Sequence, residues 1–268
     1  MVALAIIRIY DAHVNRAVAP SCDNRECVWP VGQAWETVEG GAGDQARMES
    51  PRQGEPQIER ITVGALQANC YLVVSPETRE ALLVDPGAGP ENILAAVAKS
   101  GAQVKMVLHT HGHFDHIGAT EAILAGLPPS TPLAAHPADA FLYEAENRAI
   151  GAMFGYPLPE TPARPGVTLA DGQTLEIGTL RIEVVHTPGH TPGSICLMVG
   201  DNCLSGDTLF RRGIGRTDLL GGDEEAIYES IATRLYPLPA GTRVYPGHGE
   251  ATTIGEERRL NPFVRGSP

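Results

Sequence analysis

The sequence predicts an α/β fold in which two β-sheets pack face to face with helices outside. Two observations lead there. A β-rich stretch followed by an α/β stretch occurs twice after residue 57, and two such halves bury their apolar faces by stacking. The 268 residues also include 30 Gly and 22 Pro, which calls for many turns and disfavours a helical bundle.

Residues 1–57 carry no sustained period of 2 or 3.6. Gly40 to Pro56 is turn-rich and poor in apolar residues, so it reads as a linker. The segment is expected to be a disordered N-terminal extension, with Met48 as a candidate alternative start. Residues 58–268 are expected to form one folded domain. Cys22 and Cys27 lack the second pair that a zinc site of that type needs.

The folded part opens with three strand-like runs, IERITV (58–63), NCYLVVS (69–75) and EALLVD (80–85), separated by turn residues. Gly89-Pro90 starts a helix with apolar residues at 93, 94 and 97 and Gly101 as its stop. VKMVLHT (104–110) reads as a buried strand, followed by a short loop and a helix over 117–126. PLAAH is the next strand, Ala138–Asn147 the next helix, and the proline-rich stretch from Gly151 to Gly166 a long loop. Two hairpins follow, over 173–187 around Gly178-Thr179 and over 194–207 around Gly200-Asp201. A helix over Asp223–Arg234, the strand TRVYP (242–246) and a helical piece over 254–263 close the domain.

Composition narrows the function. Twenty Lys+Arg against 32 Asp+Glu give a net charge of −12, and Lys99 and Lys105 are the only lysines. A nucleic-acid partner is not expected, because that affinity rests on basic clusters. No apolar run approaches the roughly 18 residues of a spanning helix, and MVALAII is stopped by Arg8 and Asp11, so neither a membrane anchor nor a signal peptide is expected. Five scattered cysteines fit a reduced, cytoplasmic protein.

The chemistry concentrates in HTHGHFDH, which follows a strand and precedes a helix. His111 and His113 stand two apart in irregular chain and can converge on one point. Asp115 and His116, at the turn into the helix, can face a neighbouring point. His190 in HTPGHTPGS, Asp207 in SGDTLF and His248 in PGHGE also follow strands and are bracketed by Gly or Pro. Five imidazoles and two carboxylates at strand ends can form two adjacent metal sites suited to zinc, iron or manganese. A carboxylate such as Asp207 can place one oxygen on each of two cations about 3.5–4 Å apart. His13, His109, His136 and His186 are left out of the ligand set, with His109 and His186 as donors behind it.

THGHFDH (110–116), TPGHTPGS (187–194), GDTLF (206–210) and PGHG (246–249) together resemble the metallo-β-lactamase superfamily, over about Gln57 to Phe263. GDTLF, GIGRTDL, GGD, PGHGE, TTIGEE and NPF look most like its small, glyoxalase-II-like hydrolases. The resemblance implies an αββα sandwich of two mixed sheets with a two-metal cleft. It implies that His111, His113 and His190 hold one metal, that Asp115, His116 and His248 hold the other, and that Asp207 bridges them. Two divalent ions are implied, zinc first, with iron or manganese as alternatives. Asp85 in LLVDPGA matches an acidic position that orients a ligand.

The implied reaction is hydrolysis of a thioester or related ester by a metal-bridging hydroxide, with a small acyl compound as partner. A thiolate leaves without a proton donor, whereas an amide nitrogen needs one, and the motifs offer no strong general acid. Arg216, nine residues past Asp207 and near Arg211 and Arg212, is a candidate for a substrate carboxylate or, alternatively, for pairing with Asp218. Only 20 residues follow His248, where glyoxalase II proper carries a long helical region that helps bind glutathione.

The rival is a mononuclear iron persulfide dioxygenase of the same fold, which would use His113, His190 and Asp207 or a near equivalent. A nuclease would need a basic groove. Many β-lactamases carry Cys where Asp207 stands, and a mere binding module would be expected to lose ligands.

Overall fold

The computed structural model of the chain describes residues 22–23, 26–27, 54–144, 150–153, 156 and 163–265. The chain divides into two units, residues 1–48 and 49–268. In the first, Cys22–Asp23 pairs antiparallel with Glu26–Cys27. Met48 and most of the expected extension lie outside the described residues, as do residues 145–149 and most of the long loop after Met153.

The second unit is a four-layer sandwich of helices, sheet, sheet and helices, as the sequence predicts. The first sheet runs in chain order: β1 Gln57–Val63, β2 Ala68–Val74, β3 Glu80–Val84, β4 Gln103–Leu108, β5 Leu133–Ala135 and β6 Val167–Thr168. Its first two pairings are antiparallel and its last three parallel. The second sheet holds β7 Thr174–Ile177, β8 Leu180–His186, β9 Ile195–Val199, β10 Asn202–Gly206, β11 Arg243–Pro246 and β12 Thr252–Thr253, again in chain order. Here β10 and β11 run parallel and all other neighbours antiparallel.

Side-chain alternation explains the layers. In β2, Tyr71 and Val73 enter the core between the sheets, with Leu82 and Val84 of β3 and Ile195, Leu197 and Val199 of β9. Cys70, Leu72 and Val74 point the other way, onto Ile93 and Val97 of α1 (Pro90–Ser100) and Ile123 of α3 (Thr120–Ala125). Cys196 and Cys203 likewise face Ile227 of α4 (Glu224–Ser230), Ile231, Leu235 and Ile254. Both faces of these strands are covered, so β2 reads as a continuous apolar run rather than an alternating one.

Helix α1 begins as expected, with Gly89 at φ 60° and Pro90 in the first turn, and stops at Gly101, φ 67°. Three helices differ from expectation. The helix expected over 117–126 starts earlier and is broken, as α2 (Phe114–Ile117) and then α3. The break falls where the Ala119 N–H donates to the Pro86 carbonyl. The helix expected over Ala138–Asn147 is a 3₁₀ segment, Pro137–Tyr143, closed by Glu144 N–H to Phe141 O. The helix after Asp223 widens into a π turn over Ile231–Leu235. The last helix, α5, spans Ile254–Leu260. Among the described residues no helix is long and apolar enough to cross a membrane.

Candidate metal centre

The ends of β4, β8, β10 and β11 lie together, and the sheets are stitched at that end by the backbone. The Ile195 N–H donates to Thr110 O, and the Asn69 N–H to Gly247 O at 2.7 Å. Within the second sheet, Gly247 N–H donates to Gly206 O at 2.8 Å, which sets Asp207 beside His248. Gly247 is required there, because a Cβ would stand 2.1 Å from Asp207 Oδ1. Six of the seven expected residues are buried, and His248 is partly exposed.

Two clusters form. Ligand-type atoms of His111, His113 and His190 lie within 4.8 Å of one another, and so do those of Asp115, His116 and His248. Asp207 stands between the clusters, with Oδ2 at 3.5 Å from His190 Nε2 and 3.6 Å from His248 Nε2, and Oδ1 at 3.4 Å from His116 Nε2. All seven side chains singled out by spacing therefore meet in one place.

The outer ring nitrogens fix the tautomers. His190 Nδ1–H donates to Arg216 O at 2.7 Å, and His248 Nδ1–H to Leu66 O at 3.1 Å. Thr110 Oγ1 gives its own proton to Asp85 Oδ2 and so accepts from His111 Nδ1–H at 3.1 Å. The inner nitrogens of His190 and His111 then carry lone pairs. His190 Nε2 faces His111 Nε2 at 3.3 Å and His113 Nδ1 at 2.9 Å. Asp207 Oδ1 is buried and has no hydrogen-bond partner. Converging lone pairs beside an orphaned carboxylate oxygen are a donor set for cations, and imidazole with carboxylate suits zinc, iron or manganese.

Charge divides the two halves. Burial, reinforced by neighbouring imidazoles, pushes His111 down, His113 down to about 3 and His190 down to about 4. These rings are neutral at pH 7, as metal ligands must be. At His116 burial acts downward too, but the carboxylates of Asp207, Asp115 and Asp85 outweigh it and raise the ring to about 10. His248 is raised in the same way, by Asp207 and Asp115 against burial. At Asp115 burial acts upward, and His116 and His248 reverse it and hold the carboxyl below the usual range. The carboxylate-rich half thus favours positive charge.

Asp85 sits behind the centre. Its backbone is left-handed, φ 52°, and its carboxylate accepts from Thr110 N–H at 2.7 Å, Thr110 Oγ1–H at 2.6 Å and His116 Nδ1–H at 3.1 Å. Asp85 also groups with His111 and His116, but those hydrogen bonds occupy both its oxygens. It accepts from the outer nitrogen of His116.

Arg216 is engaged: Nε and Nη2 donate to Asp218 at 2.7 and 2.8 Å. That contact is one of the two roles considered for it. Sequence reading missed its carbonyl, and that of Leu66, as anchors of His190 and His248. Carbonyls occur at every residue and leave no signature. Thr110 was missed as well, though its place inside the HTHGH motif was a usable signal. Both nitrogens of His109 are taken, by Tyr143 Oη at 2.8 Å and Thr120 Oγ1 at 2.7 Å. His186 stacks on His136, ring centroids 4.2 Å apart.

A sequence profile described as the metallo-beta-lactamase superfamily matches residues 63–248. "Hydroxyacylglutathione hydrolase GloC" of Haemophilus influenzae is 35% identical over 220 residues, 77% of this chain and 97% of that protein. "Probable metallo-hydrolase YqgX" of Bacillus subtilis is 37% identical over 211 residues, 77% and 97% of the two chains. The solved structure of TTHA1623 in a di-iron-bound form superposes with a TM-score of 0.69 at 40% identity, covering 77% of this chain and all of that one. ETHE1 from Myxococcus xanthus gives a TM-score of 0.63 at 30% identity, covering 77% and 83%.

Proposed function

Because the chain belongs to the metallo-beta-lactamase superfamily, we propose that it is a metal-dependent hydrolase of small acyl thioesters or related esters. The observation that carries this reading is the meeting of His111, His113, His190, Asp115, His116, His248 and Asp207 in two adjoining clusters. The first three would hold one divalent cation, the next three the other, and Asp207 both, with zinc the first candidate and iron or manganese the alternatives. Two such cations would supply Lewis acidity and ionise water at neutral pH. The di-iron form of TTHA1623 supports a two-cation centre of this kind.

The chain's own groups bear on the leaving group. Asp115 stays ionised and has no proton to give. Among the described residues no Tyr or Lys side chain is hydrogen-bonded to the seven cluster residues. A group that departs as a thiolate suits this site better than an amine. The name of GloC, a relative at 35% identity, supports the same class. His248, the partly exposed member, would face the side from which an acyl compound enters.

The test is metal quantification of purified protein with a thioester panel that includes S-D-lactoylglutathione. Two equivalents of metal and thioester turnover are expected. One equivalent of iron, with O₂ consumed on glutathione persulfide, would give the site to the dioxygenase reading instead.

A further inference from the structure

Behind the His111–His113–His190 cluster lies a carboxylate that no motif contains. Asp139, on the 3₁₀ segment Pro137–Tyr143, is 1% exposed. Its Oδ2 accepts from Gly112 N–H at 2.9 Å and from Thr191 Oγ1–H at 2.8 Å. Its Oδ1 accepts from Gly193 N–H at 2.6 Å. Gly112 is the residue between His111 and His113, and Thr191 directly follows His190. One side chain therefore ties together both loops that carry the first cluster.

The surroundings are shaped for this. A Cβ on Gly193 would stand 2.6 Å from Asp139 Cγ, and one on Gly112 would stand 2.8 Å from Leu142 Cβ. Only glycine lets both loops approach the segment so closely. Thr191 is fixed further by Ser194, whose Oγ lies 2.8 Å from Thr191 Oγ1 and accepts from Thr191 N–H at 3.0 Å. Tyr143, on the same segment, bonds His109 two residues before His111. Three donors converge on two oxygens, and an ionised carboxylate accepts all of them without a proton of its own.

We propose that Asp139 is a positioning residue for the first cation: it locks the Gly112 loop to the Thr191–Gly193 loop, so that His111, His113 and His190 converge. This rests on the reading that those three rings hold a cation. An amide at position 139 keeps one acceptor oxygen but sets an NH₂ group against donors. Asp139→Asn therefore loses part of the lock, and Asp139→Ala all of it.

The test uses metal-depleted full-length protein titrated with Co²⁺ against a competing chelator, following the ligand-field absorption. His190→Ala and His248→Ala assign the bands to the first and second sites. In Asp139→Ala the first-site affinity is expected to fall by about 10- to 100-fold and its bands to shift, with the second site within about threefold of wild type. Asp139→Asn should lie between. Leu82→Ala, a change in the core between the sheets that removes none of the Asp139 hydrogen bonds, should lower Tm and leave both affinities in place. Should Asp139→Ala not fold, Asp139→Asn against Leu82→Ala decides. Wild-type first-site affinity in the Asp139 variants, or an equal loss in Leu82→Ala, overturns the proposal. Failure of the wild-type protein to bind any cation would instead overturn the functional reading beneath it.

Discussion

Asp207 Oδ1 lies 3.4 Å from His116 Nε2, beyond a good hydrogen bond, and finds no other donor although it is buried. The other oxygen, Oδ2, faces His190 and His248, so the carboxylate touches both clusters at once. Leaving a buried carboxylate oxygen unmatched costs on the order of 1–3 kcal/mol or more. A protein tolerates that where the oxygen has work other than folding.

Asp207→Ala should therefore reduce bound metal from two equivalents to at most one, with hydrolysis falling by more than about 100-fold. Elemental analysis beside thioester turnover checks both. Full activity with two metals bound would contradict the bridging position.

Arg216 offers a sharper separation of roles. Its guanidinium lies on Asp218, an exposed pair worth at most about 1 kcal/mol, while its carbonyl holds His190. A substrate carboxylate could draw the guanidinium away at little cost. Arg216→Ala should then raise KM by about fivefold for acyl compounds bearing a carboxylate and leave neutral ones unchanged, with kcat held. Asp218→Ala should lower KM for the same carboxylates. Equal losses of kcat across all substrates would mean that the side chain serves to shape the loop around His190.

The seven cluster residues and Asp85 were legible in the sequence, and the other groups behind them were not, for a physical reason. His190, Asp207 and His248 follow strands and are bracketed by Gly or Pro, and short spacings such as that of His111 and His113 survive folding as proximity. Asp139 lies 27 residues from Gly112 and 54 from Gly193, with no pattern around it to mark the pairing. The sandwich was legible from its apolar runs, because strands covered on both faces cannot alternate. The helix expected at 117–126 was misjudged because a tertiary contact, Ala119 N–H to Pro86 O, overrides helical continuity. Propensity is local, and it yields to such contacts.

His109, outside the two clusters, gives a pH dependence of its own. It is fully buried between Tyr143 Oη and Thr120 Oγ1, and burial pushes its ring down to about 4. An unfolded histidine titrates near 6.5. Below about 6.5 the unfolded chain therefore binds a proton that the folded chain refuses. The ring's contribution is fully present above that pH and is lost as pH falls toward about 4. From about 6.5 to about 4, at about 1.4 kcal/mol per pH unit, the loss amounts to about 3 kcal/mol. Urea unfolding at several pH values between 7.5 and 4.5 should show stability falling with acid. His109→Gln, less stable at pH 7.5, should show a shallower fall over the same range. Parallel pH profiles for the two proteins would mean that the buried ring accepts its proton without opening the fold.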